Sequence, residues 1–126
     1  MMHTLDFSKL NQIASSHIHV IPCVVQNAST GEVITLAYVS KESITESIDR
    51  GYAVFWSTSR QELWVKGATS GNYLKLIDIY VNCENNSVLF KVLPQGSGAC
   101  HVIDPTAGTH FSTCFHRKLS SELTIL

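Results

Sequence analysis

Residues 18–51 read IHVIPCVVQNASTGEVITLAYVSKESITESIDRG, and they contain two β-rich runs followed by a run with helical spacing. The β-rich runs are Ile18–Gln26 and Val33–Tyr38. Between them, residues 27–31 form a cluster of turn-forming residues, NASTG. This pattern predicts a β-hairpin.

The same segment ends with signals for a helix. Ser40 can cap its start, and Gly51 is placed to end it. Ile44 and Ile48 are four residues apart, so they should lie on one face of this helix. We expect it to be the longest helix of the chain.

The rest of the chain is predicted to be mostly strands and loops. The further predicted strands are Ala53–Ser57, Leu63–Val65, Leu74–Cys83 and Ser87–Leu93. Pro94–Ala99 and Asp104–Thr109 contain proline or glycine and are predicted loops. We therefore predict an α+β, strand-dominated fold with one main helix. A chain of 126 residues is long enough for one core, so residues 1–126 should form a single domain.

The composition indicates an ordinary soluble protein without a strong charge. Hydrophobic residues make up 44%, charged residues 15%, and the formal net charge is −1. We expect a small-molecule partner and no nucleic-acid or membrane partner. No apolar run approaches the roughly 18 residues of a membrane span, and the N-terminus, with Asp6 and Lys9, lacks a signal-peptide layout. A cytoplasmic location with reduced cysteines is therefore expected.

Cysteine and histidine are concentrated towards the C-terminal end. The five residues of these types between positions 100 and 116 are Cys100, His101, His110, Cys114 and His116. Zinc selects thiolate and imidazole ligands. Cys83 would add a third thiolate and leave a fourth position for water, as in catalytic zinc sites. In the alternative interpretation, Cys100 and Cys114 are small buried hydrophobes and the histidines lie on a solvated loop.

The other cysteine and two N-terminal histidines are assigned no chemical role. Cys23 lies within the apolar run Val20–Val25 and is predicted to be a core residue. His17-Ile18-His19 alternates as on a strand, which would place both imidazoles on one face. Because no neighbouring ligands are apparent, we predict that they are structural or exposed.

Residues 56–72 place hydroxyl groups, cations and glycines around two tryptophans. Hydroxyls and backbone N–H groups near glycine can surround phosphate oxygens, and Arg60 and Lys66 supply positive charge. This pattern indicates a phosphate-binding segment. The alternative is a polar hairpin in which the tryptophans are core residues and Lys66 is solvated.

Five segments between Ile21 and Arg117 carry a resemblance to a known family. In order they are IPCVVQNASTGEVITLAYVSKES, FWSTSRQELWVKGATSGN, NCEN, GACH and CFHR. Together they resemble phosphoribosyl-AMP cyclohydrolase, an enzyme family of histidine biosynthesis. The resemblance implies a mixed β-sheet pseudobarrel and an intertwined homodimer. It also implies zinc bound between subunits, by the cysteine matching Cys83 of one chain and those matching Cys100 and Cys114 of the other.

The family's reaction is the hydrolytic opening of the adenine ring of phosphoribosyl-AMP between N1 and C6. A water made more acidic by zinc can attack C6, which ribosylation at N1 leaves electrophilic. Because three thiolates weaken this acidification, a nearby base matters, and His101 is the candidate proton-transfer residue. An outward-facing loop histidine is the alternative. The substrate-binding positions implied by the resemblance are Trp56, Ser57, Ser59, Arg60, Lys66, Thr69, Ser70 and Gly71.

The chain departs from the family pattern on the substrate and magnesium side. The positions matching three magnesium-binding aspartates are Asn82, Glu84 and Asn86. With two of the three charges absent, magnesium should bind poorly or not at all. Thr58 and Ala68 stand where the family usually has arginine and glutamate. Val102–Thr113 is a longer connection than usual between the last two zinc cysteines, and we interpret it as a local insertion.

Two other hypotheses are compatible with these departures. The chain could be a relative that hydrolyses another nucleotide or amidine-like ring. It could also be a non-catalytic nucleotide-binding dimer held together by zinc. A closed coordination sphere, completed by His101, His110 or His116, would favour the second hypothesis. A redox module is less favoured because the chain has no Cys-x-x-Cys pair.

Overall fold

A computed structural model describes residues 4–126, which contain six strands and two helices. Their order is α1 (Lys9–Ala14), β1 (Ile21–Asn27), β2 (Val33–Val39), α2 (Lys41–Arg50), β3 (Val54–Ser57), β4 (Glu62–Val65), β5 (Leu74–Val81) and β6 (Val88–Pro94). The fold is therefore α+β and strand-dominated with one main helix, as predicted. Within residues 4–126, neither helix has the length and apolar character needed to cross a membrane.

Four of the strands form one mixed sheet with the order β2-β1-β6-β5. The predicted hairpin is confirmed, because β1 and β2 pair antiparallel, with Cys23 opposite Ala37. On its other side β1 pairs parallel with β6, and β6 pairs antiparallel with β5. Strands β3 and β4 form a separate antiparallel hairpin.

The core lies on one face of the four-stranded sheet, where alternate residues of β1 and β6 are buried. Phe90 of β6 stacks against Phe55 of β3 with their ring centroids 6.1 Å apart, which joins the sheet to the separate hairpin. Cys23 is fully buried among these residues, as predicted. Burial raises the pKa of its thiol to about 12. A thiol that stays protonated is a poor metal ligand, so Cys23 is a packing residue.

Helix α2 has the predicted start and end. The Ser40 side chain accepts the backbone N–H of Ser43 at 3.1 Å, and the Ser43 side chain accepts that of Ser40 at 2.9 Å. This reciprocal pair satisfies two backbone donors at the start of the helix. Gly51 ends the helix with a φ of +74°, a left-handed conformation that glycine adopts without steric cost.

The buried face of α2 differs from the prediction. Ile44 packs against the core, but Ile48 is 61% exposed, and the two fully buried residues are Ser43 and Ser47. The Ser47 hydroxyl accepts the backbone N–H of Val54 at 2.8 Å. The small serine side chains let the helix approach β3 closely, and Ser47 satisfies a backbone group that packing would otherwise leave without a partner.

We expect the Ser47→Ala variant to be less stable than the unmodified chain. Alanine would leave the buried Val54 N–H without its hydrogen bond, which costs about 1–3 kcal/mol in the free energy of unfolding. Urea unfolding followed by circular dichroism measures this loss. Thr45→Ala is the matched control, because Thr45 lies on the exposed side of the same helix and its hydroxyl bonds only to Lys41 O. Equal stability of the two variants would contradict this role of Ser47.

Several predicted strand boundaries were wrong by one to three residues, and three of them affect the interpretation. Strand β1 begins at Ile21 rather than Ile18, so His17 and His19 precede it and do not share a strand face. Both histidines are exposed, as the prediction allowed. Strand β5 ends at Val81, which places Cys83 in the following turn rather than at a strand end. Strand β6 extends to Pro94, which was predicted to begin a loop.

Helix α1 was not predicted from the sequence. It has six residues and none of them is buried. A helix without a buried apolar face lacks the periodic pattern on which such predictions depend.

Candidate active site

Cys100 and Cys114 are neighbours in the structure. Cys100 is 3% exposed and Cys114 is half-buried, and both residues line the same cavity. The backbone N–H of Cys114 donates to Ile34 O at 2.7 Å, which attaches this segment to the start of β2. Burial raises the pKa of the Cys114 thiol, while a hydrogen bond from Thr35 acts in the opposite direction.

Lys66 is 6% exposed, and it is near enough to both thiols for their charges to act on its ammonium group. It is therefore not the solvated side chain of the alternative interpretation. Burial lowers the pKa of its ammonium group, while the charges of Cys114 and Cys100 raise it. A buried cation at this position offsets the negative charge that two thiolates would carry.

The Cys100 sulfur has two further hydrogen-bonding neighbours. The backbone N–H of Val102 donates to it at 3.4 Å, and Nε2 of His116 lies 3.9 Å away. The His116 ring is stacked on Phe111, with centroids 3.8 Å apart and planes 4° from parallel. The Cys100 sulfur therefore has a backbone N–H donor on one side and a fixed imidazole ring on another.

Two cavities meet at His101. The first, of about 300 Å³, is lined by Cys100, Cys114 and His116. The second, of about 250 Å³, is lined by residues from the end of β4 and the loop after it, among them Trp64, Lys66, Thr69 and Ser70. His101 lines both cavities, and its side chain is exposed. An imidazole at this place could carry a proton between the thiol pair and a molecule in the second cavity.

The segment Val102–Thr113, which was interpreted from the sequence as an insertion, folds back on itself as a short hairpin. We call it the inserted hairpin. Ile103 and His110 form an isolated β-bridge, and the N–H of Asp104 donates to Thr109 O at 2.7 Å. The hairpin is attached to Cys100, whose carbonyl oxygen lies 2.8 Å from Nδ1 of His110. His110 also lines the second cavity. The sequence pattern grouped His110 with the metal-ligand types and gave no sign of this position, because the folding of the insertion could not be predicted.

The predicted substrate-binding residues fall into two groups. Lys66, Thr69 and Ser70 line the second cavity. Ser57, Ser59 and Arg60 lie at the turn after β3, where Arg60 Nε donates to Ser57 Oγ at 3.3 Å. These groups lie at opposite ends of the four-residue strand β4, roughly 13 Å apart at about 3.3 Å per residue. A single chain therefore does not bring the whole predicted set together.

The other two predicted substrate-binding residues have backbone roles. Trp56 is half-buried within β3, where it pairs with Leu63. Gly71 donates its N–H to Gly67 O at 2.8 Å and so shapes the turn after β4. Gly67 has a φ of +91°, and a Cβ there would lie 2.6 Å from Asn72 O, so this turn requires glycine.

Cys83 lies apart from the Cys100–Cys114 pair. It is exposed in the turn after β5, whereas Cys114 is attached to the start of β2. Strands β2 and β5 are the two edges of the sheet, separated by three strand spacings or about 14 Å. Within residues 4–126 no three Cys, His, Asp or Glu side chains come together closely enough to hold a metal ion. One chain alone therefore does not assemble the predicted three-cysteine site.

The turn around Cys83 uses its amide groups internally. Asn82 Oδ1 accepts the backbone N–H groups of Asn86 at 2.9 Å and Ser87 at 3.0 Å. Asn82 Nδ2 donates to Asn86 Oδ1 at 2.7 Å. Glu84 is exposed. Both amide oxygens therefore already accept hydrogen bonds, which leaves the Glu84 carboxylate as the charged oxygen ligand of the three predicted positions.

The family model of phosphoribosyl-AMP cyclohydrolase matches residues 35–116, more than half of the chain. The chain belongs to the phosphoribosyl-AMP cyclohydrolase family. The matched part begins in β2 and ends at His116, so it includes both thiols, the whole lining of the second cavity and the hairpin of residues 102–113.

Individual relatives are similar over most of the chain. A phosphoribosyl-AMP cyclohydrolase of Desulfatibacillum aliphaticivorans is 40% identical over 126 residues, which cover 99% of this chain and 90% of that protein. One of Natronomonas pharaonis is 40% identical over 111 residues, or 88% of this chain and 86% of that protein. The histidine biosynthesis bifunctional protein HisIE of Thermus thermophilus is 44% identical over 100 residues, or 79% of this chain and 43% of that protein.

Proposed function

We propose that this family member is itself a phosphoribosyl-AMP cyclohydrolase, which opens the adenine ring between N1 and C6 in histidine biosynthesis. The observation that carries the proposal is the position of His101. It lies between a cavity containing two adjacent thiols and a cavity containing a buried cation and hydroxyl groups. Metal-assisted hydrolysis of a nucleotide ring needs a site that can bind the metal, a pocket that binds the nucleotide, and a residue between them that can transfer a proton.

The donor set at the first cavity fits zinc. Cys100 and Cys114 would hold the ion, since adjacent thiols are soft ligands and the Val102 N–H group and Lys66 stabilise charge on them. Bound there, zinc would acidify a water molecule and make it a better nucleophile towards C6.

The chain's own residues would bind the substrate and move the proton. His101 would accept a proton from the attacking water and return it to N1 as the N1–C6 bond breaks, so that the water is divided between C6 and N1. Lys66, Thr69 and Ser70 would bind a phosphate group of the nucleotide, because they offer a cation and two hydroxyls in one cavity.

We infer that the complete site requires a homodimer, in which Cys83 of a second copy is the third zinc ligand. The separation of Cys83 from Cys114 supports this inference. A second support is an apolar row across the outer face of the sheet, formed in register by Leu36, Val24, Leu89 and Tyr80. Leu36 is 46% and Tyr80 55% exposed. An exposed apolar row of this kind favours association with another copy, and an intertwined pseudobarrel would bury it.

Magnesium is expected to bind weakly in this dimer. Glu84 would be the one charged ligand of the three predicted positions, and the amide oxygens of Asn82 and Asn86 are engaged in the turn. Magnesium gives up its bound waters reluctantly and prefers charged oxygen ligands. Added magnesium should therefore change turnover little.

The proposed activity is tested by incubating the purified, reduced, zinc-loaded chain with phosphoribosyl-AMP and following ring opening by absorbance, with and without magnesium. We expect turnover that depends little on magnesium. No turnover by a zinc-loaded dimer would reject this substrate. Turnover of a different adenine nucleotide would then favour the hypothesis that the chain hydrolyses another nucleotide. Nucleotide binding without turnover would favour the hypothesis of a non-catalytic dimer held together by zinc.

Lys66→Met should lower kcat for phosphoribosyl-AMP by about 10- to 100-fold, the usual cost of losing a group that supports metal ligands. Methionine keeps the length of the buried side chain but removes the charge beside the two thiols. The control is Lys75→Met, which removes a charge from an exposed position in β5. If both variants keep the kcat of the unmodified chain, Lys66 has no electrostatic role in the reaction.

A further inference from the structure

The hairpin formed by residues 102–113 holds His110 in a defined position. The backbone of His110 packs directly against Gly98, because a Cβ at Gly98 would lie 2.6 Å from the carbonyl carbon of His110. The ring of His110 is held by the 2.8 Å contact between Nδ1 and Cys100 O, and its backbone by the β-bridge to Ile103. His110 is therefore attached to the same residue that supplies one of the two thiols, while it lines the neighbouring cavity.

The contact with Cys100 also determines which nitrogen of the ring carries the proton. A carbonyl oxygen can only accept a hydrogen bond, so Nδ1 must be the donor. In a neutral imidazole the other nitrogen then has a free lone pair. The contact with Cys100 therefore leaves Nε2 as the nitrogen of His110 that is free to accept a hydrogen bond from a ligand in the neutral ring, and the ring cannot exchange its two nitrogens without losing the bond to Cys100.

Apart from His101, which is assigned to proton transfer under the proposed function, the other side chains that line the second cavity offer few acceptors for a nucleotide. Lys66 is a pure donor, and Thr69 and Ser70 are assigned to phosphate binding under the proposed function. Among the residues of the described chain that line this cavity, none is aspartate or glutamate. A nucleotide also presents donors, namely the ribose hydroxyls and the exocyclic amino group of adenine. These need a matched acceptor when they leave water.

We propose that His110 is a substrate-binding residue, whose Nε2 accepts a hydrogen bond from an O–H or N–H donor of the bound nucleotide. The inserted hairpin is thus part of the nucleotide pocket of this protein. The proposal rests on the proposed function for the identity of the nucleotide. One neutral hydrogen bond corresponds to an affinity change of about three- to tenfold.

Two substitutions separate substrate binding from attachment of the hairpin. In His110→Asn the amide nitrogen can replace Nδ1 and keep the bond to Cys100, but nothing replaces Nε2. In His110→Gln the longer side chain can place its amide oxygen near the position of Nε2, but the bond to Cys100 is lost. We expect His110→Asn to raise KM for phosphoribosyl-AMP about three- to tenfold with kcat little changed, and His110→Gln to restore part of that loss. If His110→Asn keeps the KM of the unmodified chain while His110→Gln does not, the residue only attaches the hairpin and the proposal is overturned.

A spectroscopic measurement on the unmodified chain needs neither variant to fold and needs no turnover. In 15N NMR of histidine-labelled protein, the unprotonated nitrogen of His110 should be Nε2, and its resonance should move when AMP is added. 2′-Deoxy-AMP and inosine monophosphate identify the donor, because the first lacks a ribose hydroxyl and the second lacks the amino group. A resonance that all three nucleotides leave unmoved would overturn the proposal. Loss of phosphoribosyl-AMP turnover with a moving resonance would instead reject the proposed reaction and keep the nucleotide contact.

Discussion

Replacement of Cys100 by alanine should reduce turnover of phosphoribosyl-AMP by more than about a hundredfold, because changes around metal ligands already cost 10- to 100-fold and this change removes a ligand itself. Cys100 is almost fully buried, and its sulfur is approached by the Val102 N–H group, His116 and the Cys114 thiol. Alanine would leave Cys114 as the one thiol of the chain at this place. The bound zinc per chain should fall together with kcat.

The matched control for this variant is Cys23→Ala. Cys23 is also buried, but it packs in the core, and burial raises its pKa to about 12. The Cys23→Ala variant should therefore keep its zinc and most of its turnover. Kinetics and metal content are measured on the same preparations, with circular dichroism to confirm folding. Retention of full activity and full zinc by Cys100→Ala would contradict the assignment of this residue as a ligand.

Mixing two inactive variants should restore activity if each site is shared between two chains. Cys83→Ala lacks the ligand from the turn after β5, and Cys100→Ala lacks one of the paired thiols. A heterodimer of the two contains one complete site and one that lacks both residues. With random exchange of subunits half of the dimers are mixed, so the mixture should reach about one quarter of the unmodified activity. Each variant alone should remain below about 1%.

This experiment needs a step in which subunits exchange, such as mild denaturation followed by refolding of the mixture. The control is a mixture of Cys100→Ala with Cys114→Ala. Each of these variants loses one of the two thiols that a single chain supplies to a site. Both sites of a mixed dimer would therefore still lack one thiol. Activity in this control equal to that of the first mixture would rule out the assignment of Cys83 to the opposite chain.

The local elements of the fold could be predicted because their signals are local. The turn residues 27–31 between two apolar runs indicated the β1–β2 hairpin, and Ser40 and Gly51 indicated both ends of α2. The buried face of α2 was predicted only in part. The pattern favoured Ile48, but the contact with β3 requires the small side chain of Ser47. Tertiary packing decided here against hydrophobic spacing.

The positions of distant residues could not be predicted in the same way. The parallel pairing of β1 with β6 joins segments from different parts of the chain, and no short-range pattern specifies it. That pairing determines the sheet order, and the sheet order places Cys83 and Cys114 at opposite edges. The sequence therefore indicated which cysteines to consider but not that one chain keeps them apart.

The inserted hairpin shows the same limit within the site. The connection 102–113 was interpreted as an insertion, and its residues Asp104–Thr109 were predicted to form a loop; in the structure these residues form the turn of a short hairpin. The positions of His110 in the second cavity and of Phe111 against His116 follow from contacts with Gly98 and Cys100 that the pattern did not contain. By contrast, His101 could be chosen because it is adjacent to Cys100.

The proposal that zinc at the Cys100–Cys114 pair supports the reaction is tested most directly by a metal titration. Zinc is removed from the reduced protein with a chelator, and turnover of phosphoribosyl-AMP is measured as zinc is returned in steps. Activity should be lost on removal and should rise in proportion to added zinc, reaching a plateau at about one zinc per chain. Full turnover by the zinc-free protein, or a protein saturated with zinc that leaves phosphoribosyl-AMP intact, would contradict it.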